Sequence, residues 1–172
     1  MTPFEVRAAT AEETRSLGER LAGLLRAGDV LVLSGDLGAG KTTLTQGLGA
    51  GLRVRGDITS PTFVISRVHP SLVGGPALVH VDAYRLAPAT GSGGGVVEFD
   101  DLDLDAFLDE AVTVVEWGTG VAEGLASDRL EIELLRAHGD EQGEARTARV
   151  VAVGSRWQGV DLGAALSAGP TA

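Results

Sequence analysis

Residues Gly35-Asp36-Leu37-Gly38-Ala39-Gly40-Lys41-Thr42 meet the phosphate-binding pattern G-x-x-x-x-G-K-[ST] at each fixed position. Lys41 is the only lysine in the 172 residues. Glycines in such a loop let successive backbone N–H groups turn inward around a phosphate without Cβ clashes, and a helix starting at the loop adds the positive end of its dipole. Gly38, Ala39 and Gly40 are therefore expected to cradle phosphates. The Lys41 ammonium would reach the β- and γ-phosphates as a point charge. The Thr42 hydroxyl would ligate Mg²⁺, and Thr43 would approach the α-phosphate. A glycine turn that merely precedes a helix is the competing reading, and the flanking elements weigh against it.

A phosphate loop needs a carboxylate at the end of a neighbouring strand to hold the Mg²⁺ shell. Asp82 follows Leu78-Val79-His80-Val81, and Glu116 follows Val112-Thr113-Val114-Val115. Both close apolar runs, where ligand sites of open α/β sheets form. One would coordinate Mg²⁺ and the other would orient water or the outer shell, unless either is an ordinary solvated loop acid. Thr62, in Thr59-Ser60-Pro61-Thr62-Phe63, is placed to sense Mg²⁺ or the γ-phosphate; a Ser-Pro turn leading into a strand explains it equally well. His80 reads as a strand residue pointing away from Asp82. Trp117 and Trp157 read as packing, and Arg85 as a surface or partner-facing charge. Asn-Lys-x-Asp, the guanine-reading element of GTPases, cannot occur around a single lysine already used in the loop, which favours ATP over GTP.

The elements around these residues must hold them. Thr10-Ala11-Glu12-Glu13 predicts a capping box opening a helix through Leu17, Leu21, Leu24 and Leu25 that stops at Gly28. Val30–Leu33 predicts a strand buried on both faces. Thr43–Leu52 predicts a helix with Leu44 and Leu48 inward. Strand, glycine loop and helix together are the setting a phosphate loop requires. Further strands are expected at Phe63–Val68, Ala77–Val81 and Ala111–Val115, the first two joined by a turn at His69–Pro76. An antiparallel pair is expected from Leu130–Leu134 and Arg146–Val153. Short helices are expected in 98–110 and an amphipathic helix over 156–167. The Gly-rich stretch 87–95 reads as a flexible insertion, and 168–172 as a disordered tail. The whole predicts a single three-layer α/β P-loop domain over 1–172, with a mostly parallel central sheet and an antiparallel C-terminal strand pair.

Composition bounds the partners. The net charge is −10 and cysteine is absent, which excludes disulfides and thiolate metal sites and leaves oxygen ligands suited to Mg²⁺. An acidic surface repels a phosphate backbone, so any nucleic-acid role needs a partner to supply positive charge. No signal peptide and no membrane span are read, which makes a cytoplasmic location the expectation.

Leu17-Gly18-Glu19, Ser34 through Thr43, Ser60-Pro61-Thr62-Phe63, His80-Val81-Asp82-Ala83-Tyr84-Arg85-Leu86 and Val115-Glu116-Trp117-Gly118 occur in this order. Together they closely resemble the TsaE (YjeE) family, small bacterial P-loop ATPases of tRNA threonylcarbamoyladenosine biosynthesis, over roughly residues 10 to 155. The resemblance implies binding and hydrolysis of ATP with Mg²⁺. It implies work beside TsaB and TsaD, which modify adenosine 37 of tRNA, so that tRNA is met only through that complex. It also implies Lys41 as the phosphate lysine, Thr42 and Glu116 as Mg²⁺ ligands, and Asp82 as an acid near the γ-phosphate. Thr62 would belong to a switch loop, and Thr10 and Ala11 would border the adenine. The Gly91–Gly95 stretch departs from the family by lengthening the loop after Tyr84-Arg85. Two other readings stand beside this one: a small-molecule kinase using the same loop, and a nucleotide-switched binding module.

Overall fold

The computed structural model describes residues 3–35, 40–56, 58, 66–82, 109–116, 126–136, 143 and 145–167. Within them lie β1 (Phe4–Ala8), α1 (Ala11–Ala22), β2 (Val30–Gly35), α2 (Lys41–Leu52), β3 (Ser66–His69), β4 (Ala77–Asp82), β5 (Ala111–Glu116), β6 (Arg129–Arg136), β7 (Arg146–Val153), a 3₁₀ turn (Ser155–Trp157) and α3 (Leu162–Ser167). The strands form one seven-stranded sheet in the order β1-β7-β6-β2-β5-β4-β3. Its centre, β6-β2-β5-β4, is parallel. Antiparallel pairs close both sides: β6–β7 and β7–β1 on one, the β3–β4 hairpin on the other.

Burial explains the strand types. Every residue of Val30–Leu33 and of Ala111–Glu116 is buried, as expected for strands covered on both faces. Toward β7 and β1 one face meets water. There Arg149 bridges Glu5 and Glu133 at 3.0 and 3.2 Å, partly exposed, and such pairs contribute little. Leu31, Leu33, Leu78, Val112, Val114, Leu130, Ile132 and Val150 share the other face and pack against Leu17, Leu21, Leu44 and Leu48 of α1 and α2.

The capping box forms. Thr10 is the N-cap of α1, and its Oγ1 accepts from Glu13 N–H at 3.1 Å. The Glu13 carboxylate reaches back to Ala9 N–H, one residue before the cap. Thr10→Ala should therefore cost about 1 kcal/mol, read as the shift in urea unfolding free energy. A loss below about 0.3 kcal/mol would show that the cap adds nothing to this helix.

The structure alters four expectations. The first helix stops at Ala22 with Gly23 as its cap, not at Gly28; Leu24 and Leu25 continue as a turn against the core. Gly28, at φ +95°, instead serves the turn into β2, its N–H donating to Ala111 O. β1 is an added strand, with Phe4, Val6 and Ala8 alternating against Glu5 and Arg7. The strand expected at Phe63–Val68 is observed from Ser66 to His69, its first residues lying outside the described ones. The single helix over 156–167 is a 3₁₀ turn and a separate six-residue helix, because Gly159 at φ +80° interrupts helical backbone. Trp157 is a buried core residue as expected; the Arg156 guanidinium covers its ring at 4.2 Å and pairs with buried Asp29 at 2.9 Å. The insertion 87–95, most of 98–110 and the tail 168–172 lie outside the described residues.

Candidate functional site

Three parallel strands bring their C-terminal ends to one place. Leu33 pairs with Glu116 between β2 and β5, and Asp82 pairs with Glu116 between β4 and β5. Gly35 closes β2 two residues beyond Leu33 and opens the phosphate-loop sequence. The register thus gathers the backbone of Gly35, Glu116 and Asp82 at one edge, the position where ligands meet open α/β sheets.

The end of the loop is set by backbone conformation. Gly40 is the N-cap of α2 at φ +101°, a left-handed state costly for any residue with a Cβ. It turns the chain directly into α2, which starts at Lys41. The Lys41 side chain is buried, and its Nζ donates to Gly35 O at 2.8 Å. The ammonium therefore folds back over the start of its own loop instead of extending into water. Thr42 and Thr43 follow on the first turn of α2, both partly buried. Thr45 Oγ1 donates to Lys41 O at 2.8 Å, tying down the same turn.

α1 completes the surroundings. It crosses α2 with backbone nearly touching backbone: a Cβ at Gly47 would collide with the carbonyl of Arg15, and one at Gly18 would meet Leu48 N at 2.8 Å. This close approach places the N-terminal turn of α1 beside that of α2. Ala11, Glu12, Arg15, Ser16, Thr43 and Gln46 line a cavity of about 580 Å³ between them. Ala11 and Thr43, singled out separately in the sequence, thus share one cavity. Thr10 stands at its edge as the exposed cap of α1. A second cavity, about 700 Å³, opens between α2 and the β3–β4 hairpin; it shares Arg15 and Gln46 with the first, and no residue read from the sequence as a site residue lines it.

Glu116 is 3% exposed, unusual for a carboxylate, and its Oε1 has no hydrogen-bond donor with good geometry. Fully buried His80 places Nε2 3.1 Å from that oxygen, at angles outside hydrogen-bond geometry. His80 was expected to point away from Asp82; its ring instead lies on the sheet face it shares with Glu116. Strand side chains alternate with period 2, so a residue two before a strand-end acid takes that acid's face. The register pairs Leu78 with Val112 and His80 with Val114. His80, Val114 and Glu116 therefore share one face, on which His80 reaches diagonally to Glu116. Period-2 spacing was the signal that would have found it. Gly38, Ala39, Thr62, Arg85 and Trp117 lie outside the described residues, and Asp82 is described by its backbone alone.

Comparison with known proteins places the chain. The family model described as "Threonylcarbamoyl adenosine biosynthesis protein TsaE" matches residues 8–147. The chain is 60% identical over 148 residues to the tRNA threonylcarbamoyladenosine biosynthesis protein TsaE of Streptomyces coelicolor, covering 86% of this chain and 96% of that one. It is 36% identical to the protein of the same name from Bacillus subtilis, over 92% of this chain and 91% of the relative. The crystal structure of Bacillus subtilis YdiB superposes with a TM-score of 0.64 at 33% identity, covering 91% of this chain and 89% of that chain. With the family model spanning most of its length, the chain belongs to the TsaE family.

Proposed function

We propose that this chain is a single-domain ATPase that binds and hydrolyses ATP within the machinery making N6-threonylcarbamoyladenosine at position 37 of tRNA, acting with TsaB and TsaD and meeting tRNA only through them. Membership of the TsaE family supports the pathway. The observation that carries the chemistry is the buried Lys41 ammonium held at Gly35 O, at the end of a strand whose register neighbour β5 ends in the almost fully buried Glu116.

In this reading the backbone N–H groups of Gly38, Ala39 and Gly40 and the Lys41 ammonium hold the β- and γ-phosphates. Thr43 approaches the α-phosphate, and Thr10 and Ala11 border the adenine. Thr42 and Glu116 would hold Mg²⁺, and the donor set fits: both offer hard oxygen, and a carboxylate only 3% exposed, with no hydrogen bond at Oε1, carries a charge that a cation would offset. No cluster of three His, Asp or Glu gathers among the described residues, so the remaining ligands would be waters and phosphate oxygens, as Mg²⁺ prefers. When bound, the ion would neutralise charge spread over the β- and γ-phosphate oxygens. Asp82 and Thr62 act at the γ-phosphate, where the water oxygen bonds to phosphorus as the bond to the β–γ bridging oxygen breaks and ADP leaves with that electron pair. Lys41 faces the oxygens on which charge grows, so the chain contributes mainly position and electrostatics. Among the described residues no helix is long and apolar enough to cross a membrane, in keeping with work in the cytoplasm.

The test is ATP hydrolysis by the purified chain with and without TsaB–TsaD, wild type against Glu116→Ala. The expected pattern is a slow basal rate that rises with the partners and falls ten- to hundredfold in the variant. A rate indifferent to TsaB–TsaD would detach the chain from that assembly. An unchanged rate in Glu116→Ala would remove Glu116 from the site.

A further inference from the structure

His80 is fully buried on the core-facing surface of the sheet, on β4 beside the β3 edge strand and near Leu78, Val112 and Val114 in register. An imidazole in that position carries two polar nitrogens into apolar surroundings, where each unsatisfied group costs about 1–3 kcal/mol. Nδ1 has no partner among the described residues, and Nε2 faces one atom only, Glu116 Oε1 at 3.1 Å. A leucine or valine would fill this place without either cost. The ring lies beneath the strand end, out of contact with solvent, so any effect it has on bound nucleotide must pass through Glu116.

We propose that His80 is a positioning residue: its Nε2–H donates to Glu116 Oε1 and turns Oε2 toward the Mg²⁺ shell. The inference rests on the reading of Glu116 given above. A carboxylate at a strand end can rotate about three side-chain bonds. A donor fixed to the adjacent strand removes that freedom at one oxygen and leaves the other free to take a metal-bound water or the ion itself. Partners of this kind orient metal-binding groups, and their loss typically lowers metal affinity 10- to 100-fold. The 3.1 Å separation is already within hydrogen-bond range, so the contact needs only a change of angle to form. The same pairing explains why a polar ring is tolerated in this core: its one polar neighbour among the described residues is the carboxylate of the site.

The experiment uses the full chain and a fluorescent ATP analogue, titrating Mg²⁺ to find the concentration of half-maximal binding. Affinity in EDTA and thermal unfolding are measured on the same samples. Three substitutions separate donor from volume. His80→Met keeps bulk without a donor. His80→Asn carries an amide at the reach of Nδ1 only. His80→Gln carries one at the reach of Nε2. The expected result is a rise of about tenfold in the Mg²⁺ midpoint for Met and Asn, a return to within about threefold of wild type for Gln, and metal-free nucleotide affinity unchanged throughout. A packing role alone would lower the unfolding temperature without moving the Mg²⁺ midpoint. Equal shifts in Gln and Asn, or a wild-type midpoint in Asn, would overturn the proposal, and this comparison holds even if the Met variant does not fold. Glu116→Ala runs in parallel: if it leaves the midpoint unmoved, the reading of Glu116 is wrong and the proposal falls with it. If Glu116→Ala moves the midpoint and Asn does not, only the role of His80 is wrong.

Discussion

Lys41→Ala is expected to lower ATP hydrolysis about 10²- to 10³-fold while the chain stays folded. The size follows from removing one preorganised charge aimed at developing negative charge, which typically costs that much. The chain has no second lysine to substitute. The Lys41 ammonium is already desolvated and held at Gly35 O, so it pays little reorganisation when phosphate arrives. Lys41→Met, which keeps the apolar stem that lies inside the fold, should be as inactive as Ala but closer to wild type in stability. Lys41→Arg should not restore the rate, because a planar fork does not occupy the place of a point charge. Steady-state hydrolysis, analogue binding and thermal unfolding on the same samples decide the matter. A Lys41→Met protein hydrolysing within twofold of wild type would sink the phosphate assignment.

The largest effect on stability is expected at Gly47→Ala. Two terms oppose each other. Alanine in a helix interior gains about 1 kcal/mol over glycine. Against that, the new Cβ would collide with the carbonyl oxygen and carbon of Arg15 on α1. Both obstacles are backbone, and neither can rotate aside, so the helices must separate along a contact that also includes Gly18 and Gly51. Overpacking of this kind costs about 1–3 kcal/mol or more, and the backbone-on-backbone contact places it at or above the upper end. The net expectation is a loss of about 2 kcal/mol in urea unfolding, with nucleotide affinity falling as well, because Ala11 and Thr43 sit at the ends of these two helices. Gly23→Ala is the contrast. There the nearest atom to an added Cβ is Arg20 O at 3.3 Å, and φ is −65°, so stability should change by less than about 0.5 kcal/mol. Equal effects at the two glycines would show that helix propensity, not the crossing, governs this pair.

What the sequence made legible follows physical range. β2, α2 to its end at Leu52, the inward faces of Leu44 and Leu48, β5 and the β6–β7 pair were readable because local period and turn chemistry determine them. Glu116 was readable because a carboxylate after the β-branched run Val112-Thr113-Val114-Val115 marks a strand end. β1 was missed although Phe4, Val6 and Ala8 alternate with charged residues; five residues at a sheet edge give a weak local signal, and their partner is β7 at the far end of the chain. The last helix was drawn too long because the apolar spacing from Trp157 to Leu166 runs across Gly159, whose left-handed backbone no helix continues. His80 was placed on the wrong face by reading its neighbours and not the two-residue step to Asp82. Family resemblance pointed to TsaE from motifs alone, and the family match over residues 8–147 agrees.

The edge pairing of β1 has a consequence for how the molecule is made. Phe4 pairs with Val150 and Ala8 with Arg146, so β1 must wait for a strand made after the other five described strands. Until β7 emerges, β1 has no neighbour, since β6 itself is bridged to it only through β7. The Thr10 cap and the Ala11 side of the cavity hang directly from β1. Gly35, Lys41 and Glu116 can therefore be assembled on β2 and β5 before β7 is made, and α1 can dock on α2 at the same stage through the Gly18–Gly47 crossing, so only the strand leading into the Thr10 cap waits for β7. Closure of so long a loop is also the slow step in reaching such a sheet. Vectorial synthesis would thus complete the crossing of α1 and α2 first and fix the strand that leads into the Thr10 cap last.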